Sequence, residues 1–150
     1  MTLKDLSKLK YIQDRKNRPS IPEHAVAVTK YSDTTSGGLT KAIKAYCDIK
    51  GIFCQRTGSE GRYRPGKTVI DVIGRARVMK GTWLPGNQQG TADLTMVVNG
   101  KYVGVEVKIG KDRQSEVQKE FENKLTQSGG QYLIVKSWDD FYSKFIELST

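Results

Sequence analysis

DLTMVVNGKYVGVEVK, residues 93–108, is the stretch that decides the fold. Two runs rich in β-branched residues flank the Asn-Gly pair at 99–100, and this arrangement is the strongest short signal for a β-hairpin with a two-residue turn. The turn fixes the register of the two strands. At that register Asp93 lies directly opposite Glu106, so both side chains point to the same face of the hairpin.

The two faces of the second strand differ in chemistry. Alternate apolar side chains point to one face, which we expect to meet the core: Val103, Val105 and Val107. Glu106 and Lys108 point to the other face, together with Asp93. Two facing carboxylates repel each other, and a divalent cation between them would remove that penalty; carboxylate oxygens suit Mg²⁺, and Mn²⁺ can substitute. The alternative is a solvated face on which Lys108 merely screens the acids.

The composition indicates a soluble basic protein. Its 150 residues predict one domain, and 37% hydrophobic with 27% charged residues is ordinary for a folded chain. The net charge of +9 favours a polyanionic partner, above all nucleic acid, although a generic basic surface is the alternative. No apolar run is long enough to span a membrane. We interpret the two cysteines as free thiols and expect a cytoplasmic protein.

The predicted organisation is a basic N-terminal arm, residues 1–22, followed by a single domain, residues 23–150. Four apolar residues at helical spacing predict a short helix in the arm: Leu3, Leu6, Leu9 and Ile12. The arm either contacts phosphate, contacts another subunit or is loose, and the sequence leaves these three open.

A glycine-rich basic region occupies residues 57–90, with two short strands predicted near 68–73 and 75–80. Basic side chains interleaved with Tyr63 and Trp83 suit phosphate contact and base stacking. A solvated loop region is the alternative. The predicted nucleic-acid-binding residues are Arg56, Arg62, Arg64, Lys67, Arg75, Arg77 and Lys80.

The remaining periodic segments predict the other elements. Helices are expected at 39–50, 115–128 and from 138 to the C-terminus, and further strands near 52–56 and 131–136. Gln118 has two interpretations. With Ser115 it forms a capping box at the start of the second helix, or it leans over the carboxylate pair.

The acids and their setting resemble the PD-(D/E)xK nuclease superfamily. Asp93 followed after twelve residues by Glu106-Val107-Lys108 is the D…(D/E)xK arrangement. Flanking motifs look like the virus-type replication-repair nuclease branch: GTADL at 90–94, SEVQ at 115–118, GGQY at 129–132, and Arg56-Thr57-Gly58 upstream. The resemblance covers about residues 36–142. It implies an α/β fold with a restriction-endonuclease-like core, a small mixed sheet flanked by helices in the order α-β-β-β-α-β.

The resemblance also implies roles for individual residues. Asp93 and Glu106 would be metal ligands, and the main-chain carbonyl of Val107 a further ligand. Lys108 would orient or help deprotonate the attacking water and stabilise charge on the phosphate, and Gln118 would support the site. The implied activity is Mg²⁺-dependent hydrolysis of DNA, structure-selective for a flap, a junction or a single strand, in replication or repair.

One departure weakens the match. The family carries a glutamate near the start of its first helix, whereas residues 36–41 hold no acid; Asp33, Glu60 or Asp71 could substitute by proximity. The alternative function is therefore a catalytically weak or inactive nuclease-fold module that binds DNA. We expect substrate specificity to come from homo-oligomerisation or from a partner.

Overall fold

The chain opens with helices, continues through a run of successive strands and ends with a helix, a strand and a helix. The computed structural model describes residues 1–58, 62–84, 86 and 90–150. Within these residues it has the α-helices α1 (Leu3–Asn17), α2 (Ser36–Lys50), α3 (Glu116–Gln127) and α4 (Trp138–Ser149), and a short 3-10 helix at Glu23–Ala25. The strands are β1 (Cys54–Arg56), β2 (Arg62–Arg64), β3 (Thr68–Ile70), β4 (Ala76–Val78), β5 (Thr82–Leu84), β6 (Leu94–Val98), β7 (Lys101–Val107) and β8 (Gln131–Val135). The predicted mixed α/β class is confirmed.

The main sheet has the strand order β1-β6-β7-β8. β7 pairs antiparallel with β6 and parallel with β8. The hairpin register is the predicted one, with Val98 opposite Lys101 and Leu94 opposite Val105. Asn99 and Gly100 both have positive φ, 50° and 75°, as a two-residue hairpin turn requires. None of the described helices is long and apolar enough to cross a membrane.

One face of the sheet meets the core, which α2 and α4 complete. The valines predicted to face the core, Val103, Val105 and Val107, are buried there. Tyr46 of α2 packs edge-on against aromatic rings of α4, with ring centroids 5.9 Å from Trp138 and 5.3 Å from Phe145. Cys47 and Cys54 are free, buried thiols in the same cluster.

The predicted arm contributes to this core. Leu6 of α1 is fully buried among the core residues, and the indole Nε1 of Trp138 donates a hydrogen bond to the Met1 carbonyl oxygen at 2.8 Å. The outer part of the predicted apolar stripe, Leu9 and Ile12, is exposed. The start of the chain therefore packs against the domain through buried Leu6, through the partly buried Met1 and Leu3, and through this hydrogen bond.

The opposite face of the sheet is covered by α3. The ring of Phe121 packs edge-on against Tyr132 with centroids 6.2 Å apart. At Gly104 the helix comes so close that a Cβ atom would lie 3.3 Å from the Leu125 side chain and 3.2 Å from Tyr132. This cover buries the face that carries Glu106, so the solvated-face alternative is wrong.

A two-stranded ribbon, residues 62–84, lies between β1 and β6 in sequence. β2 pairs with β5 and β3 pairs with β4 in the same antiparallel register, and the Met79 amide donates to the Lys67 carbonyl between the two pairs. β3 and β4 are shorter than the strands predicted near 68–73 and 75–80. β2 and β5 were not predicted, because three-residue strands carry almost no periodicity.

Candidate active site

The hairpin brings Asp93 and Glu106 together. Asp93 stands just before β6, where its Oδ2 accepts a hydrogen bond from the Val107 amide at 2.9 Å. Its main-chain carbonyl accepts from the Thr57 amide, also at 2.9 Å. Asp93 is thus fixed between the last residue of β7 on one side and the residue after β1 on the other. The register of β6 and β7 ends at Leu94 opposite Val105, one pair before the predicted one, and Asp93 lies near enough to act on Glu106 by its charge.

Glu106 is the most enclosed charged group of the cluster, with a relative exposure of 2%. Lys108 Nζ lies 3.0 Å from its Oε1, and Gln118 Nε2 donates to the same oxygen. The Tyr132 hydroxyl donates to Oε2 at 3.3 Å. Three donors from β7, α3 and β8 therefore hold one carboxylate in a single orientation.

Two opposing influences set the pKa of Glu106. Burial, and then the negative charge of Asp93, raise the pKa above its ordinary value, while the hydrogen bonds from Lys108 and Tyr132 lower it; the net shift is upward. Removing a carboxylate from water disfavours its charged form, and a second carboxylate nearby adds to that effect. The site is therefore strained electrostatically in a way that one further positive charge would relieve.

Lys108 is also buried, with a relative exposure of 7%. Burial alone would lower the pKa of its ammonium, but the hydrogen bond and charge of Glu106, with Asp112 at 3.5 Å, outweigh burial and raise the pKa. Lys108 therefore remains charged at neutral pH. Its ammonium lies between a buried acid and an exposed one.

Gln118 fulfils both of its predicted roles at once. Its Oε1 accepts from the Ser115 amide at 2.9 Å, which completes the capping box at the start of α3. Its Nε2 donates to Glu106. The cap fixes which end of the amide faces the carboxylate, so the start of α3 and the orientation of Glu106 are coupled through one side chain.

Gly90 lets α3 approach the chain segment that carries Asp93. Its φ is +78°, and a Cβ atom there would lie 2.5 Å from the Val117 carbonyl oxygen. An L side chain disfavours this φ, and its Cβ would collide with the helix backbone. The glycine of the GTADL motif is thus required by both conformation and space.

Other acids do not complete a larger cluster in the part of the chain that the structure describes. There, no three His, Cys, Asp or Glu side chains gather as a metal-binding group. Asp33 accepts from the Trp138 amide at the start of α4, and Asp71 accepts from two amides of the ribbon turn. Glu60 lies outside the described residues. The suggestion that Asp33 or Asp71 replaces the missing helix acid gains no support from these contacts.

The predicted nucleic-acid-binding residues divide into two groups. Arg56 pairs with Leu94, so it lies on the core face at the edge of the sheet and not on the face of the two acids. Arg62 has its backbone in β2, while its side chain lies outside the described residues. The others form an exposed set on the ribbon: Arg64, Lys67, Arg75, Arg77 and Lys80.

Two residues of the cluster were missed by sequence reasoning. Tyr132 bonds Glu106 from β8, and Asp112 approaches Lys108 from the turn after β7. Burial, and then the negative charge of Glu106, raise the pKa of Tyr132, so that its hydroxyl stays protonated and able to donate. Tyr132 is paired with Gly104 and hence shares the face of Glu106, but this pairing follows from the return of β8 beside β7, which no local pattern indicates.

No protein-family model matches the chain. No curated protein is significantly similar to it.

Proposed function

We propose that the chain is a Mg²⁺-dependent DNA endonuclease with a restriction-endonuclease-like core, and that Asp93, Glu106 and Lys108 form its hydrolytic site. One observation carries this proposal: a buried glutamate stands beside a second carboxylate and is held by a lysine, a glutamine and a tyrosine from three different elements. Ionisable groups whose pKa values are shifted by burial together with a specific charged partner are candidates for functional sites.

Stability alone gives little reason for such a cluster. Buried charges carry a desolvation penalty that even a well-paired partner only partly offsets, and apolar residues of similar volume are often as stable or more so. The opposite face of β7 carries buried valines, so apolar residues are compatible with this strand. The polar cluster on the face beneath α3 is therefore better explained by chemistry than by packing.

The donor set fits a hard divalent cation. Asp93 and Glu106 offer carboxylate oxygens near enough for the charge of Asp93 to act on Glu106, and oxygen is the ligand that Mg²⁺ and Mn²⁺ prefer. Burial, and then the negative charge of Asp93, raise the pKa of Glu106, and a cation between the two carboxylates would offset both influences. A bound Mg²⁺ would supply charge neutralisation at the phosphate and a lowered pKa for its bound water. The main-chain carbonyl of Val107 is the further ligand that the family resemblance implies.

The protein groups have separable tasks in this proposal. Lys108 places a positive charge beside the carboxylates, where it can attract a phosphate oxygen and orient a water molecule. Gln118 and Tyr132 do not reach for substrate. Each donates a hydrogen bond to Glu106 and keeps that carboxylate from rotating, which makes them positioning residues.

The test is a cleavage assay on labelled single-stranded, duplex, flap and four-way-junction DNA with Mg²⁺ or Mn²⁺. Wild type, Asp93→Asn and Glu147→Gln are compared; Glu147 is an exposed acid of α4, so that variant matches the change in charge. We expect cleavage by wild type and Glu147→Gln and none by folded Asp93→Asn. Equal cleavage by folded Asp93→Asn would refute the assignment of the site.

A second function, a DNA-binding module without catalysis, is favoured by one observation. Asp93 and Glu106 have no third acid beside them among the described residues. Fewer charged ligands weaken cation binding. Calorimetric titration with Mn²⁺ distinguishes the two: the nuclease predicts binding that Asp93→Asn abolishes, and the module predicts a DNA band shift with no Mn²⁺ binding.

A further inference from the structure

The ribbon is long, strongly basic and exposed. Residues 62–84 contain six of the basic residues and a single acid, Asp71. At about 3.4 Å per residue, each of its two chain segments spans roughly 30 Å from the root to the turn. Its strands pair with each other and not with the main sheet in the described part, and residues 63–80 are exposed, so both faces of this part of the ribbon are open.

The apex of the ribbon, which is the turn between β3 and β4, exposes apolar side chains. Val72 is completely exposed and Ile73 is 69% exposed. Ile70 and Val78, one step closer to the root, are exposed to a similar degree. Soluble proteins seldom leave adjacent aliphatic side chains at a protruding tip unless the tip meets a partner.

The apex is also held in one conformation. Asp71 Oδ1 accepts from the Ile73 amide at 3.0 Å and from the Arg75 amide at 2.8 Å. The Asp71 amide donates to the Arg75 carbonyl, and Gly74 adopts a φ of +79°. This turn presents Val72 and Ile73 outward without the entropic cost of ordering a loose loop on binding.

We propose that the ribbon grips duplex DNA in a groove and that Val72 and Ile73 act as a wedge between base steps. The positive charge of the ribbon favours DNA as the partner, because basic side chains flank the apolar apex on both strands: Arg64, Lys67, Arg75, Arg77 and Lys80. A two-stranded ribbon fits a DNA groove, and aliphatic side chains at a tip can unstack a step and bend the duplex. The inference rests on the proposed function, since DNA is the partner.

The root of the ribbon, where β2 pairs with β5, carries aromatic side chains that suit the same orientation of the ribbon on DNA. Tyr63 and Trp83 lie directly opposite each other and are both exposed. The phenol of Tyr63 lies over Gly81, where a Cβ atom would collide with the ring. Aromatic faces near the root can stack on an unpaired base outside the bent step, while the basic side chains along the ribbon follow the backbone and the apex enters the duplex.

The experiment uses the full chain in EDTA, so that it is independent of cleavage. A duplex carrying 2-aminopurine reports base unstacking by its fluorescence, and anisotropy of a separate label reports binding. We expect wild type to raise the 2-aminopurine signal severalfold and Val72→Ser/Ile73→Ser to lose most of that rise while binding weakens only a few-fold. The matched control is Ile12→Ser/Val28→Ser, two exposed aliphatic residues outside the ribbon, which should behave as wild type.

Other outcomes overturn the wedge and separate it from the nuclease. Tight binding with no difference in fluorescence between wild type and the apex variant removes the wedge and leaves the proposed function standing. Absence of any binding to the duplex removes the wedge, and the cleavage assay on single-stranded, flap and junction DNA then decides the nuclease separately. A dimer in sedimentation experiments that the apex variant converts to monomer would show that the apex meets a second copy of the chain instead.

Discussion

The carboxylate cluster and the ribbon place polar and apolar groups in opposite ways. In the cluster, Glu106 and Lys108 are charged and buried, and each is bonded to a named partner. On the ribbon, Val72 and Ile73 are apolar and exposed. Each region is costly for an isolated protein, the first through desolvation and the second through hydration of apolar surface. Under the proposed function, the contrast assigns hydrolysis to the buried cluster beneath α3 and binding of the DNA to the exposed ribbon.

The largest effect is expected from a substitution in the carboxylate cluster that leaves the ribbon unchanged. Glu106→Gln keeps the shape of the side chain but removes the charge, so we expect cleavage to fall by about 10³-fold or more, as happens when a main electrostatic contributor is lost. The proposal assigns DNA affinity to the ribbon, so we expect that affinity to be unchanged or slightly stronger. Single-turnover cleavage and anisotropy measure the two, and circular dichroism checks the fold. A parallel loss of affinity and cleavage would contradict the division.

The reverse experiment removes charge from the ribbon. Arg64, Lys67 and Lys80 line one open groove along it, and replacing all three by alanine should lower the slope of log affinity against log salt by about three. The control variant changes Lys4, Lys8 and Lys50, exposed lysines of α1 and α2, and should leave the slope nearly unaltered. If both triple variants flatten the slope equally, the interaction with DNA is spread over the whole basic surface.

Backbone geometry at Gly90 gives an intermediate effect. Gly90→Ala forces an alanine to a positive φ and into the Val117 carbonyl, so we expect a loss of about 1–3 kcal/mol in the free energy of unfolding. Movement of α3 should also loosen Gln118 from Glu106 and reduce cleavage. Denaturant melts measure the stability. Gly37→Ala is the control, because a Cβ there contacts nothing within 4 Å and alanine favours helix.

Local patterns predicted the features that local geometry determines. The turn at 99–100 gave the register of β6 and β7, and therefore the meeting of Asp93 with Glu106. The Ser115 capping box gave the start of α3. In both places a few neighbouring residues fix the backbone, so distant parts of the chain do not alter the result.

Features that depend on distant segments were not predictable in the same way. Tyr132 reaches Glu106 only because β8 returns beside β7, and Asp33 binds the Trp138 amide across more than 100 residues. The face of the sheet that carries Glu106 is buried because α3 packs on it. The alternation of residues in β7 does not predict where α3 packs. The α1 stripe predicted a helix, but only packing decides that Leu6 enters the core while Ile12 stays outside.

The smallest effect tests whether Tyr132 acts through the charge of Glu106. Folded Glu106 keeps its proton to a higher pH than the unfolded chain, because its pKa is raised above the ordinary value of 4.5. The folded state therefore binds more protons in the window just above pH 4.5, and its stability in EDTA falls as pH rises through that window. Tyr132 limits this loss by donating to the carboxylate.

Tyr132→Phe should thus destabilise the protein by about 1 kcal/mol more at pH 7 than at pH 4, the usual net contribution of one hydrogen bond. Tyr102→Phe is the matched control, because its hydroxyl bonds the neutral Thr95 hydroxyl at 3.0 Å, so its cost should not change with pH. Denaturant melts of both variants at both pH values measure the difference. An equal, pH-independent cost for the two variants would mean that Tyr132 only fills space beneath α3, and the positioning of Glu106 would then rest on Gln118 and Lys108.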